Sequence, residues 1–392
     1  MAEIDLEDRH GSGGVARRPV VMVRGEGARL WDAGGKEYID CSAAHGWAAL
    51  GHAHPEVTAA IRDQAGLLVH HTESSYTEQR ARWFAELAEL LASSLGRTER
   101  GTMSRIHPCN SGTEAVEAAI KLARYVTKRT EIVAAQGGFH GRTLGALSAT
   151  ASRKYRDPFE PLVPGFSHVP FNHPAALRSG VTQRTAAVIL EVVQGEGGVH
   201  VAIPAFLHAA REACDAVGAL LILDEIQTGL GRTGRWFACE HSGVAPDVVV
   251  LGKALGGGIP MGAAVWRAGL GGFEAGAHGS TFGGNPLACA ASRATLRVMA
   301  RDRLPDRAAL LGTWLLDELR GLAARRVREV RGLGLMVGVE LREKVTPVLK
   351  ALMERGVWAL PAGANVLRLL PPLTIPEADL ESACHAIREV LG

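Results

Sequence analysis

The sequence predicts an α/β protein: an open, mostly parallel sheet with helices on both faces, plus a small α+β domain built from both chain ends. Three observations predict it. Continuous apolar runs at residues 186–193 (AAVILEVV), 219–223 (ALLIL) and 248–251 (VVVL) have the character of strands covered on both faces. Helical spacing fills the gap between the first two, and that strand–helix–strand rhythm belongs to a parallel sheet. The chain of 392 residues also exceeds one typical domain, and its pattern changes after about residue 290.

Taken in chain order, residues 1–18 are rich in Gly and Arg and are expected to fray. Residues 20–23, 29–31 and 37–39 are β-prone and separated by Gly-containing turns, which predicts a small antiparallel meander. A helix is expected over residues 77–95, with Phe84, Leu87, Leu91 and Leu95 on one stripe. In the middle, Pro204 suits a first helical turn, Leu207, Ala210, Cys214 and Val217 keep helical spacing, and Gly218 suits the stop. Long amphipathic helices follow residue 290. Residues 327–341 then alternate like a strand pair, and a last helix starts at Pro376 with Leu380, Cys384, Ile387 and Leu391 on one face. The expected division is 1–65 for the N-terminal segment and part of the small domain, 66–290 for the large domain, and 291–392 for the C-terminal small domain.

Composition removes several function classes. Apolar residues make up 47% and charged residues 21%, enough for a large core and too little charge for disorder. The net charge is +2, and the densest basic group, Arg325, Arg326, Arg328 and Arg331, reads as a solvated helix-to-strand edge. No nucleic-acid partner is expected. The acidic N-terminus lacks the apolar stretch of a signal peptide, and no apolar run approaches the roughly 18–20 residues of a membrane span. Six scattered cysteines without a Cys-x-x-Cys pair read as buried thiols in a cytoplasmic protein, with no metal site.

Three of the predicted strands run straight into polar residues, and ligands of open parallel sheets sit at those carboxyl ends. Strand 219–223 leads into Asp224-Glu225-Ile226-Gln227, strand 248–251 into Gly252-Lys253, and strand 186–193 into Gln194-Gly195-Glu196-Gly197-Gly198. Singly, an Asp there is ordinarily a cap and a Lys ordinarily solvated; together they suggest chemistry. Residues 254–258 (ALGGG) cannot hold a stable helix and let backbone approach a ligand. A lysine lodged beside them is partly desolvated, which favours the neutral amine that attacks an aldehyde. Asp224, one sheet position away, suits a protonated ring nitrogen, which is the arrangement pyridoxal 5'-phosphate (PLP) needs. Asn110-Ser111-Gly112-Thr113-Glu114 opens a helix with the stripe Val116, Ala119, Ile120 and Ala123. Its free amides and hydroxyls form an anion cradle where an ordinary Ser/Thr cap is the plainer reading.

Seven stretches carry a family resemblance: 110–124 (NSGTEAVEAAIKLAR), 139–150 (FHGRTLGALSAT), 191–199, 221–234 (LILDEIQTGLGRTG), 246–262 (PDVVVLGKALGGGIPMG), 279–288 (GSTFGGNPLA) and 367–373 (LRLLPPL). In these the sequence resembles the class III, fold-type-I, PLP-dependent aminotransferases. The acetylornithine aminotransferase group is nearest, including the enzymes that act on a lysine precursor attached to a small acidic carrier protein. The resemblance implies that Lys253 holds the cofactor as a Schiff base and shuttles a proton. It implies that Asp224 pairs with the pyridinium nitrogen, Gln227 contacts the ring hydroxyl and Phe139 stacks on the ring. Ser111, Gly112 and Thr113 would hold the phosphate, joined by Thr281 of the partner subunit in a homodimer with shared active sites. Arg142 would bind the substrate α-carboxylate, with Ser280 also in the substrate set. Arg368 would receive the α-carboxylate of glutamate or 2-oxoglutarate, and Glu196 would pair with it while a ω-amino substrate is bound. An exposed cation facing a methylene chain would otherwise stand unpaired, at a cost of a few kcal/mol.

The expected reaction is ping-pong transfer of a terminal amino group from an acetylornithine-like or carrier-bound lysine-like donor to a 2-oxo acid. A broad ω-amine or 4-aminobutyrate transaminase is the alternative, and an acidic carrier protein is left open as a partner. His45 and Trp47 depart from the small or aliphatic residues usual in their segment, and Trp47 is the expected modifier of substrate choice. Val192 and Val116 also depart, with local effects only. A remoter rival is an NAD(P)-dependent oxidoreductase, suggested by the glycine pattern of residues 331–338 (RGLGLMVG). β-prone residues follow those glycines where a helix should begin, so they read as a strand turn.

Overall fold

A computed structural model describes residues 2–322 and 325–392. Its largest sheet has seven strands, in the spatial order Met103–Cys109, Gly262–Arg267, Val248–Leu251, Leu220–Asp224, Thr185–Glu191, Glu131–Ala135 and Phe166–Val169. Only Gly262–Arg267 runs antiparallel to its neighbours. Side chains alternate between two cores. Leu221 and Leu223 face the helix Pro204–Val217 through Phe206, Leu207, Ala210 and Cys214, while Leu220 and Ile222 face the helix Gly112–Thr127. Both faces are covered, which is why these strands are apolar at every position. Pro204 and the left-handed Gly218 bound their helix as expected.

The chain ends build two smaller sheets. Met22–Glu26, Arg29–Asp32 and Glu37–Asp40 form the antiparallel meander, and Val357–Trp358 from the far end of the sequence adds a fourth, parallel strand. Val327–Leu333, Met336–Leu341, Val366–Leu369 and Leu360–Ala362 form the other sheet, all antiparallel. The amides of Leu370 and Leu373 donate to the carbonyls of Cys41 and Ala49, which ties the two ends together. The glycine-rich 331–338 segment is the turn of a β-hairpin, not a strand-to-helix loop.

Five local expectations need correction. Residues Ala2–His10 form a helix with no buried residue, because Glu3 and Asp5 in its first turn and Arg9 and His10 in its last complement the helix dipole. The first strand lies at Met22–Glu26, two residues later than expected, its register set by the turn at Gly27 (φ 54°). The apolar run at 186–193 is two elements: Thr185–Glu191 stays in the large sheet, then Val193–Gln194 leaves it to pair with His200–Val201. Helix Glu78–Leu95, capped by the Thr77 hydroxyl, buries Trp83, Leu87 and Leu91, with Phe84 and Leu95 only half-buried. The Trp83 Nε1–H donates to Ser292 Oγ at 2.9 Å and sets the inward face. Finally, Arg331 is buried and fully bonded, not part of a solvated edge.

All six cysteines are buried and unpaired. Among the described residues no helix is long and apolar enough to cross a membrane, and no cluster of metal-ligating side chains occurs.

Candidate active site

The carboxyl ends of three central strands surround a cavity of about 290 Å³. Asp224 closes the strand Leu220–Asp224, Lys253 follows the neighbouring strand, and Glu191 ends the next one. All three line the cavity, with Gly112, Thr113, Phe139, Arg142, Glu196 and Gln227. Lys253 stands at φ 44°, a left-handed backbone that a side chain rarely adopts, and opens a single 3-10 turn that Gly257 ends. The stretch expected to be non-helical is therefore one tight turn. A residue held in such a conformation stores strain of order 1–3 kcal/mol, a feature concentrated at functional sites. Burial lowers the Lys253 pKa; Asp224 and Glu196 oppose the shift, and Arg368 assists it. The free amine is thereby favoured.

Asp224 is buried and firmly placed. Its Oδ2 accepts from His140 Nδ1–H at 2.8 Å, and its Oδ1 accepts from the Ile226 amide at 3.1 Å. Burial opposes a charge on His140, but the bond to Asp224 and the carboxylates of Asp224 and Glu191 overcome it and raise the imidazole's pKa. Burial pushes Glu191 up to about 7, although it accepts from the amides of Phe139 (2.8 Å) and Gly195 (3.2 Å). His140 and Glu191 are site residues that sequence reasoning missed. Both lie inside or at the edge of motifs it quoted; Glu191 carried a signal as the one carboxylate in the apolar run 186–193, whereas His140 stands among glycines and carried none of its own.

The helix Gly112–Thr127 brings its first turn to the cavity. The Ser111 hydroxyl caps it by accepting from the Glu114 amide, and the Thr113 hydroxyl bonds that of Thr143 at 2.8 Å. Gly112 lies so close to Ile226 that an added Cβ would stand 2.8 Å from Ile226 Cδ1. The first amides of a helix have no intrahelical acceptor, and with the dipole they attract an anion. Gly112 and Thr113 line the cavity, and Ser111 caps the turn next to them.

A second charged group lies toward the C-terminal sheet. Arg368 is fully buried, and its Nη1 donates to Glu196 Oε1 at 2.6 Å and to Gln227 Oε1 at 3.3 Å. Its Nη2 lies 3.3 Å from His45 Nδ1. Burial works against ionised Glu196, but His45 and Arg368 outweigh it and hold the carboxyl at about 2. Arg142 is exposed, with its guanidinium 4.0 Å from the Tyr155 ring centroid and 5.5 Å from that of Phe139.

Three of the expected residues lie elsewhere. Trp47 lines a separate cavity of about 250 Å³, together with Ala254, Gly257 and Gly258, while its neighbour His45 joins Arg368. Ser280 Oγ accepts from Asn110 Nδ2 and the Gly283 amide, and Thr281 is exposed; neither lines the cavity of its own chain. A lysine made nucleophilic by burial, a carboxylate one strand away, an aromatic ring and a helix N-terminus make up a donor set that fits an aromatic aldehyde phosphate such as PLP.

Known proteins agree with this chemistry. A family model described as aminotransferase class-III matches residues 12–391. The acetylornithine aminotransferase of Methanosarcina mazei is 45% identical over 387 residues, covering 98% of this chain and 95% of the relative. The LysW-aminoadipate semialdehyde transaminase of Deinococcus radiodurans is 46% identical over 390 residues, covering 98% and 89%. An ornithine aminotransferase structure from Toxoplasma gondii, described with partial occupancy of PLP at its active site, superposes with a TM-score of 0.92 at 34% identity. It covers 99% of this chain and 93% of that one.

Proposed function

The chain belongs to the class III aminotransferase family, which depends on PLP, and from that membership we propose a transamination at the terminal amine of its donor. The donor is an acetylornithine-like or carrier-bound lysine-like amine. Its nitrogen passes to 2-oxoglutarate, leaving a semialdehyde and glutamate. The ion pair between buried Arg368 and Glu196 carries this reading. A donor whose α-amine is blocked presents a methylene chain to Arg368, and Glu196 then keeps the guanidinium paired. A dicarboxylic 2-oxo acid presents a carboxylate instead, and Glu196 yields its place to it. The names of the Methanosarcina and Deinococcus relatives support both donor types.

When bound, the cofactor supplies an aldehyde and an electron-poor ring. In this reading Lys253 holds it and moves the transferred proton at Nζ. Asp224, backed by His140, keeps positive charge on the ring nitrogen. Phe139 would cover the ring face, Gln227 would reach the ring hydroxyl, and Ser111, Gly112 and Thr113 would hold the phosphate. Arg142 receives the donor's α-carboxylate. Trp47, outside the cavity, acts on substrate choice at most from beside the 254–258 turn. Thr281, exposed on its own chain, supports a homodimer in which it serves the partner's phosphate. A cytoplasmic location accords with six buried thiols.

The test is a panel of donors, acetylornithine, ornithine, a carrier-linked lysine analogue, 4-aminobutyrate and a simple aryl amine, each with 2-oxoglutarate and with pyruvate. The proposal expects acetylornithine with 2-oxoglutarate to lead, or a carrier-linked lysine analogue to exceed it. Reaction of the aryl amine with pyruvate alone would replace this reading with a broad amine transaminase.

A further inference from the structure

We propose that Arg331 is a positioning residue for the substrate-carboxylate gate, holding the loop that bears Glu196 at pairing distance from Arg368. The inference rests on the gate reading of those two residues given above. It also accounts for the glycine-rich hairpin turn at 331–338, which the reaction itself leaves without a role.

The Glu196 loop is held only at its base, where the Val199 amide donates to the Gln194 carbonyl, the Ala202 amide to Val192, and the Gly195 amide to Glu191. It connects two strands of only two residues each, Val193–Gln194 and His200–Val201. Arg331 supplies what they lack: its Nε and Nη2 both donate to the Gly198 carbonyl, at 3.0 and 2.7 Å, two residues from Glu196. Its Nη1 donates to Glu329 at 2.7 Å and to Glu340 at 2.6 Å. Those carboxylates balance the charge of a buried guanidinium and fix its plane, so Nε and Nη2 face the Gly198 carbonyl, with His200 Nε2 on the closing strand 3.3 Å from Nη2.

The same hairpin holds Arg368. Its second strand, Met336–Leu341, pairs with Val366–Leu369, and Gly338 stands opposite Arg368 in that ladder. Across the strand, an added Cβ at Gly338 would lie 2.9 Å from Val199 Cβ, next to the carbonyl that Arg331 grips. One strand therefore spaces both partners of the gate, with Arg331 fixing the loop side and the ladder fixing the arginine side. Without Arg331 the loop drifts, and Arg368 loses its counterion during the donor half-reaction. A dicarboxylate then meets less competition for the guanidinium.

Both half-reactions are followed by absorbance on the purified holoenzyme, with the fastest donor of the panel above and with L-glutamate. Glutarate, an unreactive dicarboxylate, gives a binding constant independent of turnover. Arg331→Met lowers donor kcat/KM by about tenfold, the size of a lost positioning contact, while the glutamate half-reaction holds within about twofold and glutarate binds more tightly. Glu196→Ala gives the same signature. The double variant is no worse than Glu196→Ala alone, because both act on one interaction. Arg331→Lys and Glu340→Gln give intermediate effects, and they carry the comparison if Arg331→Met does not fold. Equal losses in both half-reactions, or additive losses in the double variant, overturn the role of Arg331. If Glu196→Ala itself fails to separate the half-reactions, the gate reading falls and this inference with it. If Glu196→Ala separates them and the Arg331 variants do not, only the inference about Arg331 falls.

Discussion

Lys253 sits where burial and charge pull in opposite directions, and burial wins. Glu196 is the reverse case: burial favours its neutral form, yet His45 and Arg368 keep it ionised down to about pH 2. A carboxyl whose pKa is depressed on folding contributes stability that is fully present above its unfolded value, near 4.3, and is lost as pH falls through the folded value. Glu196→Gln is therefore expected to be less stable than the parent at pH 7, with the difference shrinking between about pH 4 and pH 2. Denaturant midpoints measured across that range check it; a difference that persists at pH 2 removes the ion pair as its cause. At this scale Lys253, Asp224 and the loop bearing Glu196 were legible because each follows an apolar strand, whereas Arg368 entered only through the family resemblance. His45 was singled out with Trp47, but nothing in the sequence told which of the two reaches Arg368. The turn between them decides, since Ala43, Ala44, His45 and Gly46 all take positive φ and swing His45 toward the arginine.

Among the elements, the helix Gly112–Thr127 shows how a local signal acquires a tertiary reason. Its cap, stripe and glycine are all readable in the sequence. That residue 112 must be Gly follows from Ile226, which comes from another strand end and leaves no room for a Cβ. Gly112→Ala is expected to cost about 1–3 kcal/mol through overpacking and to displace the helix N-terminus from the cavity. A lower thermal midpoint together with faster loss of cofactor on dialysis is the expected result. A lower midpoint with unchanged retention would separate the helix from the phosphate. The run at 186–193 shows the limit of pattern reading. Eight apolar and polar residues looked continuous, yet the chain leaves the sheet at Val192 because the Glu191 carboxylate ties the following loop to Phe139 and Gly195.

Over the whole molecule, the site depends on segments far apart in sequence. Leu373 shows the join: it is fully buried, its amide donates to the Ala49 carbonyl, and its side chain packs on Gly231 in the loop that follows Gln227. Leu373→Ala is expected to lower unfolding stability by about 2–5 kcal/mol with an unchanged denaturant slope, since the cavity opens between parts that unfold together. A split into two transitions would show instead that the chain ends fold apart from the large sheet.

The sequence by itself determined the fold class, the strands whose ends carry chemistry, and the lysine, carboxylate and helix N-terminus that make the site, because periodicity, capping and broken apolar patterns are local. Only the tertiary structure decided that His140 backs Asp224, that His45 and not Trp47 meets Arg368, and that Arg331 is buried against the Glu196 loop. Those are contacts between segments tens to hundreds of residues apart. Side-chain partners at such separations are chosen by how sheets and loops pack, and no local pattern encodes that.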